Sequence, residues 1–154
     1  MGVMKAIALP LLLLIFTGSS IGADQTQISA SELTLGGVAI GQSELEVTRL
    51  HGPPQTREDT GEGFRLRYPG LDVYVGVKGY GVFDILSTNS TQCTPSKVCP
   101  GMPVAVANRA YGTPVVAKRE HGTFLEYIPK GSTCWLQLSA PQGVIRSLRV
   151  ACQP

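Results

Sequence analysis

Four cysteines, two histidines and one adjacent carboxylate pair are the residues of this chain best suited to covalent, metal or acid–base chemistry. Metal sites want thiolates and imidazoles at close, repeated spacing. No Cys-x2-Cys pair is present, and His51 and His121 stand in different halves of the chain. His121 adjoins Glu120, but neighbours on a strand point to opposite faces, which denies a base its carboxylate. His51 closes a helical pattern, where a cation suits the helix dipole. Glu58-Asp59 lies in a polar stretch with nothing to fix two carboxylates across a scissile bond. No Gly-x-Ser-x-Gly, Walker loop, His-Glu-x-x-His or dinucleotide fingerprint occurs. The expectation is a protein that is not an enzyme, with no catalytic residue, no metal and no cofactor.

The cysteines then read as structural. An even number in an exported chain implies disulfides, and four cysteines allow three pairings. Geometry favours Cys93–Cys99 and Cys134–Cys152. Cys93-Thr-Pro-Ser-Lys-Val-Cys99 is a short loop able to fold back on itself. Cys134 and Cys152 stand at the far ends of two strand patterns joined around Pro141-Gln142-Gly143, and in a hairpin such ends are neighbours.

The start of the chain supports export. Lys5 supplies a positive charge, Ala6 to Phe16 is apolar, and Ile21-Gly22-Ala23 ends a run of small and polar residues. That is the pattern of a signal peptide over 1–23, cleaved near Ala23. The apolar run is short for a bilayer span. No cysteine follows it directly, where a lipid anchor would attach. The mature chain is therefore expected to be periplasmic or secreted and without a membrane anchor. Without Lys5 it holds 12 basic and 11 acidic residues, a net charge of +1. That is no footprint for nucleic acid.

An internal offset of 60 residues organises the rest. Gly41, Arg49, Gly52 and Pro54 recur in register as Gly101, Arg109, Gly112 and Pro114, and Pro69 as Pro129. Two copies of one unit are expected, since such units often cannot bury their cores alone. Residues 24–33 read as a flexible lead-in, 34–90 as repeat 1 and 91–154 as repeat 2. In the first copy Ser43 and Glu46 form a capping-box pattern, Leu45, Val47 and Leu50 share much of one helix face, and Gly52-Pro53-Pro54 stops the helix. Gln55 to Gly63 reads as an exposed loop. Strands are expected at Phe64–Tyr68, Leu71–Val77 and Val82–Ser87. In the second copy a helix over Pro103–Tyr111 precedes strands near Val115–Lys118, Thr123–Ile128, Thr133–Leu138 and Val144–Cys152. The 18 glycines and 11 prolines suit such short elements. The fold class is α+β: a tandem repeat of one helix on a small antiparallel sheet, disulfide-bonded.

Alternation assigns faces. Leu71, Val73, Val75 and Val77 point inward, as do Phe64, Leu66, Tyr68, Cys134, Leu136, Leu138, Leu148, Val150 and Cys152. Ile145, Ser147 and Arg149 point outward. Asp84 and Arg146 break the pattern. The helix-free face would carry Tyr74, Trp135, Arg65, Arg67, Lys78 and Arg149. Aromatic and arginine side chains on an open sheet resemble a protein-binding set, and packing under a loop is the plainer alternative for the two aromatics. The segments Gln55–Gly63 and Ala117–Thr123 are further candidate contacts.

Ile40-Gly41-Gln42-Ser43, then Glu46-Val47, Leu50 and Gly52-Pro53-Pro54, is similar to the helix opening of the β-lactamase-inhibitor-protein-like superfamily, which also holds small outer-membrane assembly lipoproteins. Pro100-Gly101-Met102, Val106 and Gly112-Thr113-Pro114 resemble it again. The resemblance implies a helix-on-sheet fold that binds other proteins in the cell envelope. It further implies that the concave sheet face, where Tyr74 and Trp135 fall, meets the target. The expected function is a non-catalytic protein-binding module, most sharply an inhibitor or immunity-type protein acting on an exported enzyme. An envelope-assembly factor, a glycan-binding module and an undetected hydrolase are the alternatives.

Overall fold

Ser43 starts the first helix as its sequence predicts. Its hydroxyl accepts from the Glu46 amide, and the Glu46 carboxylate accepts from the Ser43 amide, so two orphan donors are satisfied reciprocally. This is helix α1, Glu44–His51, ended by Gly52. The second helix, α2, runs Val104–Tyr111 and ends at Gly112. Pro103 offers it no capping side chain. Its first turn is held instead by the backbone around Ile145, which accepts from Gly101 N at 2.7 Å and donates to Met102 O at 2.8 Å. Val104 N reaches Gly143 O at 2.9 Å. Ile145, expected outward, is consequently buried under the helix start.

The computed structural model describes residues 27–153 together with Gly2. The leader over 1–23 and its cleavage site lie outside the described residues. A one-turn 3-10 helix, Ala30–Glu32, precedes a small hairpin of β1 (Thr34–Leu35) and β2 (Val38–Ala39). After α1 come β3 (Thr56–Asp59), β4 (Gly63–Tyr68), β5 (Leu71–Gly76) and β6 (Gly81–Ser87). After α2 come β7 (Val115–Arg119), β8 (Gly122–Tyr127), β9 (Cys134–Ser139) and β10 (Ser147–Cys152). These eight strands form one antiparallel sheet in the order β3-β4-β5-β6-β10-β9-β8-β7. Among the described residues the fold is α+β, with one large sheet, two α-helices and two disulfides.

Strand register explains the core. Leu66, Val73, Ile85, Val150, Leu136 and Tyr127 lie side by side across six strands. All six are buried. A second row runs Tyr68, Leu71, Ser87, Leu148, Leu138 and Leu125. Val47 of α1, Ala107 and Tyr111 of α2, Leu35 and Val38 of the hairpin and Val98 of the linker join the same cluster. Each fully buried aliphatic side chain in it contributes about 1.5–3 kcal/mol of apolar transfer.

Several expectations need correction. Residues 24–33 read as a flexible lead-in, yet in the described part Ile28, Glu32 and Leu33 are buried. Two apolar side chains in this polar segment, Ile28 and Leu33, reach the common core. Gln55–Gly63 is not a plain loop: it contains β3, and all four β3 residues are exposed. An edge strand solvated on both faces has no apolar alternation to betray it. Leu45 does not share the face of Val47: it is 58% exposed while Val47 is fully buried, because residues two apart on a helix point about 160° from each other. Leu50, three residues on from Val47, is only about 60° away and turns toward Gly37, yet at the rim it is 53% exposed. Val77 lies past the end of β5 and is exposed.

The hairpin between β5 and β6 is fixed at its base by a close backbone approach. Gly41 N donates to Val82 O and Val82 N to Gln42 O, both at 2.7 Å. Gly81, at φ +67°, lies so near that a Cβ there would sit 2.5 Å from the Gly41 carbonyl oxygen.

Candidate protein-binding face

Both helices and the β1–β2 hairpin contribute their apolar side chains to one core, on the face of the sheet carrying the rows described above. The opposite face is built by the intervening residues. One row reads Thr56, Arg67, Asp72, Leu86, Arg149, Gln137, Glu126 and Val115, one residue from each of the eight strands. Beside it runs Glu58, Arg65, Tyr74, Asp84, Ala151 and Trp135.

The charges on this face are already paired. Arg65 binds Asp72 through Nε at 3.1 Å and through a second, shorter contact from Nη2. Arg67 stands 3.6 Å from Asp72 and 3.8 Å from Glu58. Arg149 grips Asp84 from Nε at 2.9 and 3.0 Å and again from Nη2. Arg119 and Gln137 both reach Glu126 at 2.8 Å. Four arginines thus face four carboxylates, and these eight groups carry no net charge. The Asp72 and Asp84 hydrogen bonds raise the guanidinium pKa values of Arg65 and Arg149, so both stay charged.

Asp84 and Glu126 are the buried carboxylates here, at 8% and 5% exposure. Asp84 does not break the inward pattern, and Arg146, the other exception, is exposed and precedes β10. The β5–β6 register shifts between Tyr74 and Val75, so Phe83 is the extra residue and Asp84 falls opposite Tyr74 on the outer face.

The expected site residues distribute as follows. Tyr74 is half-buried, its ring 6.4 Å from that of Phe83, with the Arg65 guanidinium 5.8 Å from its centroid. Trp135 is half-buried, and its indole Nε1–H is buried without an acceptor among the described residues. Arg65, Arg67 and Arg149 lie on the same face, in the pairs given above. Lys78 does not. It occupies the turn after β5 at φ +55°, beside a cleft of about 340 Å³ that includes Ser43, Glu44 and Glu46. Alternation cannot be carried past a strand end, which is why Lys78 was misplaced. The sequence reading did not place Phe83, Asp84, Leu86 or Glu126 on this face, and it held Arg119 only within the Ala117–Thr123 segment. The alternating acid and base of neighbouring strands was the available signal, but only register makes it visible.

The four cysteines form Cys93–Cys99 and Cys134–Cys152, with none free. Cys134 and Cys152 are direct partners in the β9–β10 ladder, which is the expected hairpin. Full pairing is the state of cysteines in an oxidising compartment. His51 is structural: Nε2 lies 2.9 Å from the Gly36 carbonyl oxygen, and the ring tilts against Tyr68. His121 is exposed in the β7–β8 turn. Among the described residues no helix is long and apolar enough to cross a membrane.

No family model matches the chain, and no curated protein matches it. Among solved structures it is similar to an extracellular protein containing an SCP domain from Bacillus anthracis, known at 1.5 Å resolution. The identity is 13%, the TM-score 0.50, and the match covers 74% of this chain. This chain spans 44% of that longer one. At that identity the likeness is one of fold.

Proposed function

We propose that this chain is an exported, non-catalytic module that binds another protein through the helix-free face of its sheet. Its sharpest form is an inhibitor or immunity-type protein of an envelope enzyme, in keeping with the inhibitor-like helix openings at Gly41 and Gly101. The 60-residue offset, together with the order helix then four strands in each half, supports descent from one duplicated unit. The fully paired cysteines and the leader pattern support export, and the extracellular nature of the Bacillus anthracis protein is compatible with it.

One observation carries the reading: a broad open face whose charges are internally neutralised and which holds Tyr74, Phe83 and Trp135 among them. Fixed arginines and aromatics lose little rotamer freedom on binding, and such residues dominate interface energetics. Because each arginine already has a carboxylate, a highly charged polymer gains little here. The partner's contact patch is correspondingly near neutral.

The test is a complex of the mature chain with an exported enzyme from its own source, measured by calorimetry. A one-to-one complex is expected. Trp135→Ala and Tyr74→Ala should each weaken it by about 30-fold, or 2 kcal/mol. Leu45→Ala, on the helix side, should leave it unchanged. Affinity should vary little with salt, since pre-paired charges neither steer nor repel. Equal binding by the face variants overturns the assignment. Retention on polysaccharide, or co-fractionation with membrane assemblies, transfers the function to a glycan binder or an assembly factor.

A further inference from the structure

Glu32 is a buried carboxylate, 9% exposed, on the far side of the molecule from the charged face, and no cation pairs with it among the described residues. Its hydrogen-bond donors are all neutral. Tyr111 Oη of α2 donates to Oε2 at 2.6 Å. Ser96 supplies the other two, from Oγ to Oε1 at 2.8 Å and from its backbone N–H to Oε2 at 3.3 Å. A buried carboxylate so placed depends on every donor it has.

Ser96 belongs to the loop closed by Cys93–Cys99, and the whole loop is shaped around this contact. Thr94 N donates to Val98 O at 3.0 Å, and Val98 N donates to Thr94 Oγ1 at 3.2 Å. Thr94 Oγ1 also shares a 2.6 Å hydrogen bond with Tyr111 Oη. Gly36 N donates to Cys93 O at 3.0 Å, which ties the β1–β2 turn to the same loop. On the other side, Glu32 is carried by the 3-10 turn, whose Ile28 and Leu33 enter the core. An open cleft of about 210 Å³ lined by Ile28, Glu32, Ser96 and Tyr111 lies beside this contact, between the segment and α2. The segment therefore rests on two buried side chains and one conditional hydrogen-bond cluster.

We infer that the Cys93–Cys99 disulfide is the clasp of a redox-conditional latch that holds residues 27–33 on the fold. Closed, it presents Ser96 to Glu32. Opened, the loop keeps only the Thr94–Val98 and Thr94–Tyr111 hydrogen bonds and the buried Val98 to place Ser96, so the Ser96 donors loosen first, and Glu32 regains its hydration by leaving, which draws Ile28 and Leu33 with it. Opening is a thiol–disulfide exchange. A dithiol reductant attacks one sulfur and forms a mixed disulfide. Its second thiolate then displaces the protein sulfur. Cys93 and Cys99 take up two electrons and two protons, and the reductant leaves as its own disulfide. The latch is independent of what the sheet face binds.

Hydrogen exchange on the mature chain tests it at two amides, Glu32 N and Leu33 N, which donate to Ser29 O and Ala30 O. In Cys93→Ser/Cys99→Ser both should exchange about tenfold faster or more, while core amides of β5 and β6 keep their protection. Cys134→Ser/Cys152→Ser, which leaves the clasp closed, should not show that selective change. Ser96→Ala keeps the disulfide and removes one donor to Glu32, and it should release the same two amides. Unchanged exchange at Glu32 and Leu33 in Ser96→Ala overturns the latch. So does unchanged exchange in a folded Cys93→Ser/Cys99→Ser. If that double variant fails to fold, Ser96→Ala decides alone.

Discussion

Removing Arg149 tests how the two halves of the sheet are held together. Arg149 of β10 and Asp84 of β6 pair across the ladder that joins the first four strands to the last four. The Asp84 side chain is 11% exposed and the Arg149 side chain 48%. Breaking a fully buried pair costs about 3–5 kcal/mol, because an uncompensated charge stays behind. An exposed pair is worth about 0–1 kcal/mol. Here the partner left behind is the buried one, while the group removed is half solvated and screened, so Arg149→Met should cost about 1–2 kcal/mol. Asp84→Leu/Arg149→Met should recover to within about 1 kcal/mol of the parent, since no charge is then stranded. Arg67→Met is the control. Its carboxylates stand 3.6 and 3.8 Å away and its own side chain is 41% exposed, so its loss should cost under about 0.5 kcal/mol. Urea unfolding of the parent and the three variants gives all three values. With a slope of about 1–2 kcal/mol per molar, the Arg149→Met midpoint should fall by about 1 M. An Arg149→Met variant no weaker than the Arg67 control, or a double variant less stable than Arg149→Met alone, refutes the reasoning.

Opening Cys134–Cys152 by Cys134→Ser/Cys152→Ser should cost about 2–5 kcal/mol in the same unfolding assay, and an unchanged midpoint would make the bridge idle. Gly81→Ala should lower the thermal midpoint, at a cost of about 1–3 kcal/mol. It combines a positive φ with a methyl 2.5 Å from the Gly41 carbonyl oxygen and 3.0 Å from that of Gln42. Alkali should destabilise the fold through two buried tyrosines. Burial raises the Tyr111 hydroxyl and pushes Tyr127 up to about 12, from an ordinary value of about 10. Between those values the unfolded chain has lost protons that the folded chain keeps, so stability falls as pH rises, and below about 10 the contribution is fully present. Unfolding midpoints stepped through that window should drop, and Tyr127→Phe should flatten the drop.

What the sequence disclosed was whatever repeats locally. The capping box of Ser43 and Glu46, the stops at Gly52 and Gly112, and the alternation of Leu71, Val73 and Val75 are all set within a few residues, and each appears where the pattern placed it. The Cys134–Cys152 pairing followed because a hairpin makes its ends neighbours. What escaped depends on residues far apart. Asp84 is meaningful only beside Arg149, and Glu126 only beside Gln137 and Arg119. The shift at Tyr74 that turns Asp84 outward leaves no mark in composition. β3 was invisible because none of its side chains is buried. Ile145 sits beyond its strand and answers to α2 instead. Arginines read as free to contact a partner turned out to be committed to carboxylates on neighbouring strands, Arg65 and Arg67 to Asp72 and Glu58 and Arg149 to Asp84 four strands earlier in sequence, which changes what kind of surface they make.

The strand synthesised last of the ten lies in the interior of the sheet, with β6 on one side and β9 on the other. A chain emerging from the ribosome therefore holds two raw edges until Ser147–Cys152 arrive. Until then Asp84 has no guanidinium and Cys134 no thiol to meet. Closure of the sheet must wait for β10, the last of its eight strands in chain order. The position of one strand thus sets when in synthesis the sheet can close, and moving β10 by circular permutation ahead of β3 should remove that delay.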